Sequence, residues 1–143
     1  MIELLQIDGR SLRLADVEVV ARAGVRVELA DEARQRVAAS RAVVDRILSS
    51  GAVVYGVNTG FGKLAEIRVP ADQLRRLQLN LLRSHACGVG EPFPQRVVRA
   101  MLLLRANVLA TGHAGCRPVV IDRLLELINA GVHPVVPSRG SVG

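Results

Sequence analysis

One stretch decides the fold class: residues 94–110 read PQRVVRAMLLLRANVLA. Pro94 favours the start of a helix there, because its fixed φ suits a first helical turn. The apolar residues that follow recur at intervals of three and four, the spacing of a helix face. They form two stripes, one of Val97, Met101, Leu104 and Val108, the other of Val98, Leu102 and Leu109. Two stripes predict a helix that is buried on two sides within a mostly helical protein.

The flanking sequence predicts further helices and a few short strands. Caps, prolines and glycines place the other helices at Leu12–Ala23, Asp31 to Gly51, Pro70 to His85, and Pro118 to Gly131. The helix after Pro70 carries one apolar face, made of Leu74, Leu77 and Leu81. Alternating or β-branched residues predict strands at Ile2–Ile7, Val25–Leu29 and Ala52–Val57. The fold class expected is mainly α with a few short N-terminal strands.

Composition limits the class of protein. The chain has 143 residues, half of them hydrophobic, and its aromatic residues are Tyr55, Phe61 and Phe93. So few aromatics disfavour a nucleic-acid reader that stacks bases. The net charge is +6, but its arginines are spread among leucines and valines, which predicts solvated faces or interface ion pairs and no nucleic-acid partner.

The same composition gives expectations about surroundings. No apolar stretch approaches the ~18 residues of a membrane span, so no membrane partner is expected. No cationic leader precedes an apolar block, and there are two cysteines, so we expect the protein to be located in the cytoplasm. The mean hydropathy of +0.29 is high for a soluble chain. It predicts helix faces covered by a partner subunit or by the rest of a longer chain.

The segment Tyr55–Gly62 is rich in glycine and contains the only tyrosine. Glycines permit positive φ and a close approach of backbone to a ligand, so such a loop can fold over a site. A phosphate-binding P-loop is excluded: five residues separate Gly56 from Gly62, where four are needed, and Leu64 stands where magnesium needs Ser or Thr. An ordinary turn with a packed aromatic ring remains the alternative from spacing alone.

The segment Ser84–Gly90 is the second candidate. His85 and Cys87, together with His113 and Cys116, would give a set of four zinc ligands. Knuckle-type zinc sites use a Cys-x-x-Cys pair, which this sequence lacks. The sequence therefore predicts no metal site.

Three blocks in order carry a resemblance to a known family: Tyr55–Gly62, Ser84–Gly90 and Gly140–Gly143. They closely resemble, in sequence and in spacing, three consecutive signatures of the histidine ammonia-lyase branch of the aromatic amino acid ammonia-lyases. The resemblance covers essentially the whole chain. In that family the last block is followed by Ala-Ser-Gly, which cyclises and dehydrates to 4-methylideneimidazol-5-one (MIO).

The resemblance implies an enzyme of which this chain is one part. Residues 1–143 would be the N-terminal segment of one larger helical-bundle ammonia-lyase domain, inactive alone. The MIO cofactor would form autocatalytically from an Ala-Ser-Gly directly after Gly143. The full protein would be a carbon–nitrogen lyase that removes ammonia from L-histidine to give trans-urocanate, the first step of histidine degradation. It would be a homotetramer whose active sites are shared between subunits.

The resemblance also implies roles for individual residues. Tyr55 matches the catalytic tyrosine, a base that lies over the substrate. Ser84 and His85 match the substrate-selecting position, where an imidazole can exchange a hydrogen bond with the substrate ring. The loop that lies against the substrate contains Asn58, Thr59 and Gly60.

Other functions stay open at this point. Tyrosine or phenylalanine ammonia-lyases and aminomutases of the same family are the nearest alternatives. The resemblance implies that phenylalanine-specific members carry Phe-Leu at the position of Ser84-His85. This pair therefore counts against a phenylalanine enzyme, and less firmly against a tyrosine enzyme. A non-catalytic helical interaction module is an alternative of another class.

Overall fold

The structure, a computed structural model, describes residues 3–22, 24–64 and 66–140. Five α-helices are found there: α1 (Leu14–Ala21), α2 (Asp31–Ser50), α3 (Leu74–His85), α4 (Gln95–Ala110) and α5 (Pro118–Asn129). The strands in the described residues are β1 (Leu4–Ile7), β2 (Arg26–Leu29), β3 (Val89–Pro92) and β4 (Pro137–Arg139). Short 3-10 helices occur at Gly62–Leu64 and Ala71–Gln73. The mainly α prediction is confirmed.

The chain divides into two compact units, of which the first comprises Met1–Ala42 and Glu91–Val136. Strands β1 and β2 pair in parallel within it, because α1 lies between them and returns the chain to the same edge. Helix α4 packs against α1 and α5, and α5 also packs against β2. The fully buried side chains of this core include Ile7, Val20, Val27, Val37, Leu103, Ile121 and Ile128.

Two asparagine side chains form hydrogen bonds with backbone groups of the first unit. Asn129 Nδ2 donates to Val27 O over 2.9 Å, and Val27 N donates to Asn129 Oδ1 over 2.8 Å. Gly9 N donates to Asn107 Oδ1 over 3.0 Å. The Asn129 carboxamide thus takes the place of a neighbouring strand for β2, which leaves fewer backbone groups of the small sheet unpaired.

A buried arginine joins three helices of this unit. Arg99, on α4, is only 5% exposed. Its Nε donates to Val20 O in the last turn of α1 over 2.8 Å, and its Nη1 donates to Ile128 O in the last turn of α5 over 2.9 Å. Helix C-termini carry unpaired carbonyls and partial negative charge, so they suit a cation. The prediction of solvated or ion-paired arginines is wrong for Arg99, because two helix ends meet at its side chain.

We expect Arg99→Met to lower the stability of the full-length protein by about 2–3 kcal/mol, because charged hydrogen bonds to two carbonyls are lost. The midpoint of thermal unfolding should fall by about 2–5 °C. Arg96→Met on the same helix is the control, since Arg96 is exposed. Equal midpoints for the two variants would contradict the role of Arg99.

The two stripes of α4 have different surroundings. Val98 and Leu102 are buried as predicted, but Met101, Leu104 and Val108 of the other stripe are 42%, 46% and 56% exposed. This exposed stripe lines an open apolar groove of about 510 Å³. The described residues therefore bury α4 on one side only, and burial of its second side stays a prediction.

The second unit comprises Val43–Gly90 and Pro137–Gly143. Helix α3 lies here, and the predicted face of Leu74, Leu77 and Leu81 provides its half-buried positions. Strand β3 pairs with β4, although the sequence predicted neither strand. None of the described helices is long and apolar enough to cross a membrane.

The strand predicted at Ala52–Val57 is wrong, since these residues form turns and irregular backbone. The reason is the side chain of Asn58. Its Oδ1 accepts from Val54 N over 2.9 Å and its Nδ2 donates to Ala52 O over 2.8 Å. An asparagine that bonds nearby backbone groups offers an alternative to pairing with a strand, and the segment turns.

Candidate active site

The loop that contains Tyr55 is fixed from inside by Asn58. That side chain is 4% exposed, and both ends of its carboxamide bond the backbone just before Tyr55, at Ala52 and Val54. Its own carbonyl accepts a hydrogen bond from Val69 N over 2.9 Å. A buried carboxamide with these partners holds the approach to Tyr55 in one conformation.

Thr59 secures the other side of the same loop. It is 1% exposed and forms an antiparallel bridge with Arg68. Thr59 Oγ1 donates to Gly60 O over 2.9 Å and accepts from Gly56 N over 3.4 Å. Gly60 N donates in turn to Ile67 O over 3.0 Å. The loop is therefore an ordered turn that is joined to residues 67–69 by backbone hydrogen bonds.

Tyr55 itself is exposed on this ordered loop. Its side chain is 64% exposed and its ring contacts that of Phe61 edge-to-face, with centroids 6.1 Å apart and planes at 72°. Gly56, with φ of 76°, makes the turn directly after it. A tyrosine placed for core packing is buried, whereas this one combines exposure with a rigid support. That combination suits a reactive group.

Ser84 and His85 end helix α3, where both are exposed. His85 Nδ1 lies 2.8 Å from Leu81 O and 3.0 Å from Ser84 Oγ, and Ser84 Oγ donates to Leu81 O over 2.9 Å. Because a carbonyl only accepts, the contact with Leu81 assigns the proton to Nδ1. Nε2 is then the ring nitrogen that is left to form a hydrogen bond with a ligand.

All six predicted site residues lie in the second unit. The hydrogen bonds of the loop stay within residues 52–69, and those of Ser84 and His85 stay within residues 81–85. The two groups are thus each preformed. The buried polar atoms of Asn58 and Thr59 serve the loop backbone, so these two residues support Tyr55.

Cysteine and histidine side chains give no sign of a metal centre. Among the described residues, no group of three or more His, Cys, Asp or Glu is placed to hold a metal ion. Burial raises the pKa of the Cys116 thiol, whereas zinc binds the thiolate. Cys87 instead donates through Sγ to Gly140 O over 3.2 Å.

That contact holds the backbone just before Ser141–Gly143, which lie outside the described residues. Gly140 has φ of 103°, and a Cβ on it would lie 2.6 Å from Cys87 O. The two backbones therefore touch with no room for a side chain.

Comparison with known proteins decides the family. A model of the family described as "Aromatic amino acid lyase" matches residues 12–143. The chain belongs to the aromatic amino acid lyase family. Members of this family use MIO as their prosthetic group, and the resemblance found in the three sequence blocks is confirmed.

Individual lyases and related enzymes are similar over nearly the whole chain. Histidine ammonia-lyase of Geobacillus thermodenitrificans is 53% identical over 140 residues, 98% of this chain and 28% of that protein. The crystal structure of histidine ammonia-lyase from Trypanosoma cruzi superposes with a TM-score of 0.90 at 42% identity, covering 98% of this chain and 27% of that one. The structure of tyrosine aminomutase from Streptomyces globisporus superposes with a TM-score of 0.90 at 34% identity, covering 96% of this chain and 26% of that one. This lyase-family chain spans just over a quarter of their lengths.

The sequence missed two features of this site. No role was predicted for Phe61 from the sequence, and its proximity to the single tyrosine in one short loop is the signal that could have indicated the contact between the two rings. The approach of residues 87–90 to residues 137–140 was also missed. The signal for this contact in the sequence is the presence of glycine at positions 88, 90 and 140.

Proposed function

We propose that the full-length protein containing this chain is a histidine ammonia-lyase that converts L-histidine to trans-urocanate and ammonia. Curated relatives named histidine ammonia-lyase are 43–54% identical to the chain. The observation that carries the proposal is the helix end at Ser84-His85, where the His85 ring is held through Nδ1 and presents Nε2. We also propose that residues 1–143 form the N-terminal segment of one larger ammonia-lyase domain, which matches the share of the relatives that they span.

Tyr55 is the proposed base. The reaction is difficult because the β-proton of the substrate is weakly acidic and an amine is a poor leaving group. The tyrosine oxygen, once its own proton has passed to solvent, can take the β-proton without first reorganising the ordered loop that supports it. Asn58 and Thr59 contribute by holding the loop, and Gly60 by the backbone bond to Ile67.

His85 is the proposed reader of the substrate side chain. An imidazole substrate carries a ring N–H, which can donate to Nε2 of His85 when Nδ1 is occupied by Leu81 O. Ser84 lies against the same Nδ1 and helps fix the ring. A phenyl ring offers no such donor, so the site favours histidine.

MIO is the proposed cofactor, formed autocatalytically from an Ala-Ser-Gly directly after Gly143. When present it supplies an electrophile that makes the substrate amine easier to release. In this chain, Cys87 and Gly140 would hold the backbone that leads to it. No other cofactor and no metal are part of the proposal.

We further propose a cytoplasmic homotetramer with shared active sites. The exposed apolar stripe of α4 supports a cover from another subunit or from the remaining chain. Both cysteines are free thiols, the form that a reducing compartment maintains.

An aminomutase acting on tyrosine is the second candidate, favoured by the structural likeness to the Streptomyces enzyme. Family membership speaks against a non-catalytic helical module. Incubating the full-length protein with L-histidine, L-tyrosine or L-phenylalanine separates the enzymes. We expect urocanate from histidine at a rate at least about tenfold above that of product from the other two amino acids. A β-amino acid from tyrosine would contradict the proposal.

The proposal of a larger domain is tested by the intact mass of the source protein. This mass should exceed the 15.3 kDa of this chain several-fold, and a single species near 15.3 kDa would contradict the larger domain.

A further inference from the structure

We propose that the backbone contact between residues 87–90 and residues 137–140, here called the glycine clamp, positions the chain for formation of the prosthetic group. The inference rests on the proposed function, because the group is MIO. Its basis is a set of close approaches within the second unit that only glycine permits. The clamp residues are positioning residues, since none of them belongs to the cyclising tripeptide.

Gly140 shows the closest approach. A Cβ there would lie 2.6 Å from Cys87 O, 3.0 Å from Gly88 Cα and 3.2 Å from Cys87 C. These are backbone atoms, which cannot turn aside as the end of a flexible side chain can. Its φ of +103° also excludes most side chains. Cys87 Sγ adds a hydrogen bond to Gly140 O over 3.2 Å.

Gly88 and Gly90 form the facing wall. A Cβ on Gly88 would lie 2.9 Å from Pro137 Cγ, and one on Gly90, whose φ is +89°, would lie 3.0 Å from Ser138 Oγ. Strand β3 pairs with β4 along the same contact. Three glycines from two separate parts of the sequence, positions 88 and 90 and position 140, therefore lie along one contact.

The position of this contact gives it a chemical consequence. Three residues, Ser141–Gly143, separate Gly140 from the proposed Ala-Ser-Gly. Ring closure condenses a backbone amide nitrogen with a carbonyl carbon and releases one water, and dehydration of the serine side chain releases a second. Such condensation depends on how closely the two backbone atoms are held, and a displacement of about 1 Å can slow a positioned reaction about a hundredfold. The clamp fixes the backbone at Gly140, and three residues lie between it and the tripeptide that cyclises.

Gly140→Ala in the full-length protein tests the clamp, with Gly24→Ala as its matched control. Gly24 has a similar φ of +97°, but a Cβ there meets nothing within 4 Å. Both variants carry the backbone strain, and only Gly140→Ala adds the clash. The readouts are the near-ultraviolet absorbance of the prosthetic group, the mass loss of two waters by intact mass, and the oligomer size and melting midpoint.

We expect Gly140→Ala to form the group about a hundredfold more slowly than the unaltered protein, and Gly24→Ala to form it nearly as fast. Full and equally rapid formation in Gly140→Ala would overturn the clamp while leaving the proposed function intact. Absence of the group from the unaltered full-length protein would overturn the proposed function and the clamp with it.

A second pair of variants keeps the test decisive if Gly140→Ala does not fold. Gly88→Ala should also slow formation of the group, because its Cβ meets the Pro137 ring. Adding Pro137→Gly removes that ring and should restore formation at least in part. A double variant as slow as Gly88→Ala, or a Gly88→Ala variant that forms the group at the normal rate, would overturn the proposal.

Discussion

Tyr55→Phe is expected to lower kcat for L-histidine by about 10²–10⁴-fold, the usual contribution of a positioned general base. The substitution keeps the ring and its edge-to-face contact with Phe61, and it removes only the hydroxyl. Because the side chain is 64% exposed, the loss of the hydroxyl should change stability little. A packing role and a chemical role therefore predict different results for the same variant.

The measurement is urocanate formation by the full-length enzyme, followed by its absorbance. The near-ultraviolet band of the prosthetic group should persist in Tyr55→Phe, since Tyr55 is outside the cyclising tripeptide. Phe61→Leu is the control for the ring contact, and we expect it to lower kcat by no more than about tenfold, because the base remains. Turnover of Tyr55→Phe within about threefold of the unaltered enzyme would remove Tyr55 from the chemistry.

The helices could be predicted because their signals are local. Pro94 and Pro118 precede or begin α4 and α5, and apolar spacing of three and four marks their buried faces. Strands β1 and β2 show alternation over a few residues, which is also local. None of these elements requires knowledge of a partner elsewhere in the sequence.

The errors arise where partners outside a segment decide its structure. Ala52–Val57 has strand-forming residues, yet the carboxamide of Asn58 takes backbone groups that a neighbouring strand would use. Strands β3 and β4 are some forty-five residues apart in sequence, and neither alternates well enough to be recognised alone. Arg99 has the same difficulty, because its carbonyl partners on α1 and α5 come from distant turns.

The candidate site residues were proposed from a resemblance, and the structure adds how they are supported. Spacing alone left Tyr55 open as a packed aromatic. In the structure Tyr55 is exposed on a loop whose Asn58 and Thr59 side chains are buried, and its role in the chemistry stays a prediction. The sequence could not show that these two polar residues turn inward, because asparagine and threonine are common on exposed turns as well.

Replacing Ser84-His85 with Phe-Leu is expected to lower kcat/KM for L-histidine by about tenfold to hundredfold, because the substrate ring loses its polar partner. The structure gives the reason in atoms: His85 Nδ1 is held 2.8 Å from Leu81 O, so Nε2 is the acceptor that disappears. Some activity on L-phenylalanine should emerge, since an apolar pair at a helix end can receive a phenyl ring. Steady-state kinetics with both substrates in the full-length enzyme measure the change.

Single variants separate the hydrogen bond from the shape of the pocket. Ser84→Ala removes a hydroxyl that bonds Leu81 O and leaves the His85–Leu81 contact in place, so we expect a loss for histidine of no more than about fivefold. His85→Leu removes the acceptor and should reproduce most of the effect of the double variant. If His85→Leu and the double variant both kept the kcat/KM of the unaltered enzyme for L-histidine, the imidazole of His85 would not contact the substrate, and other residues would have to select it.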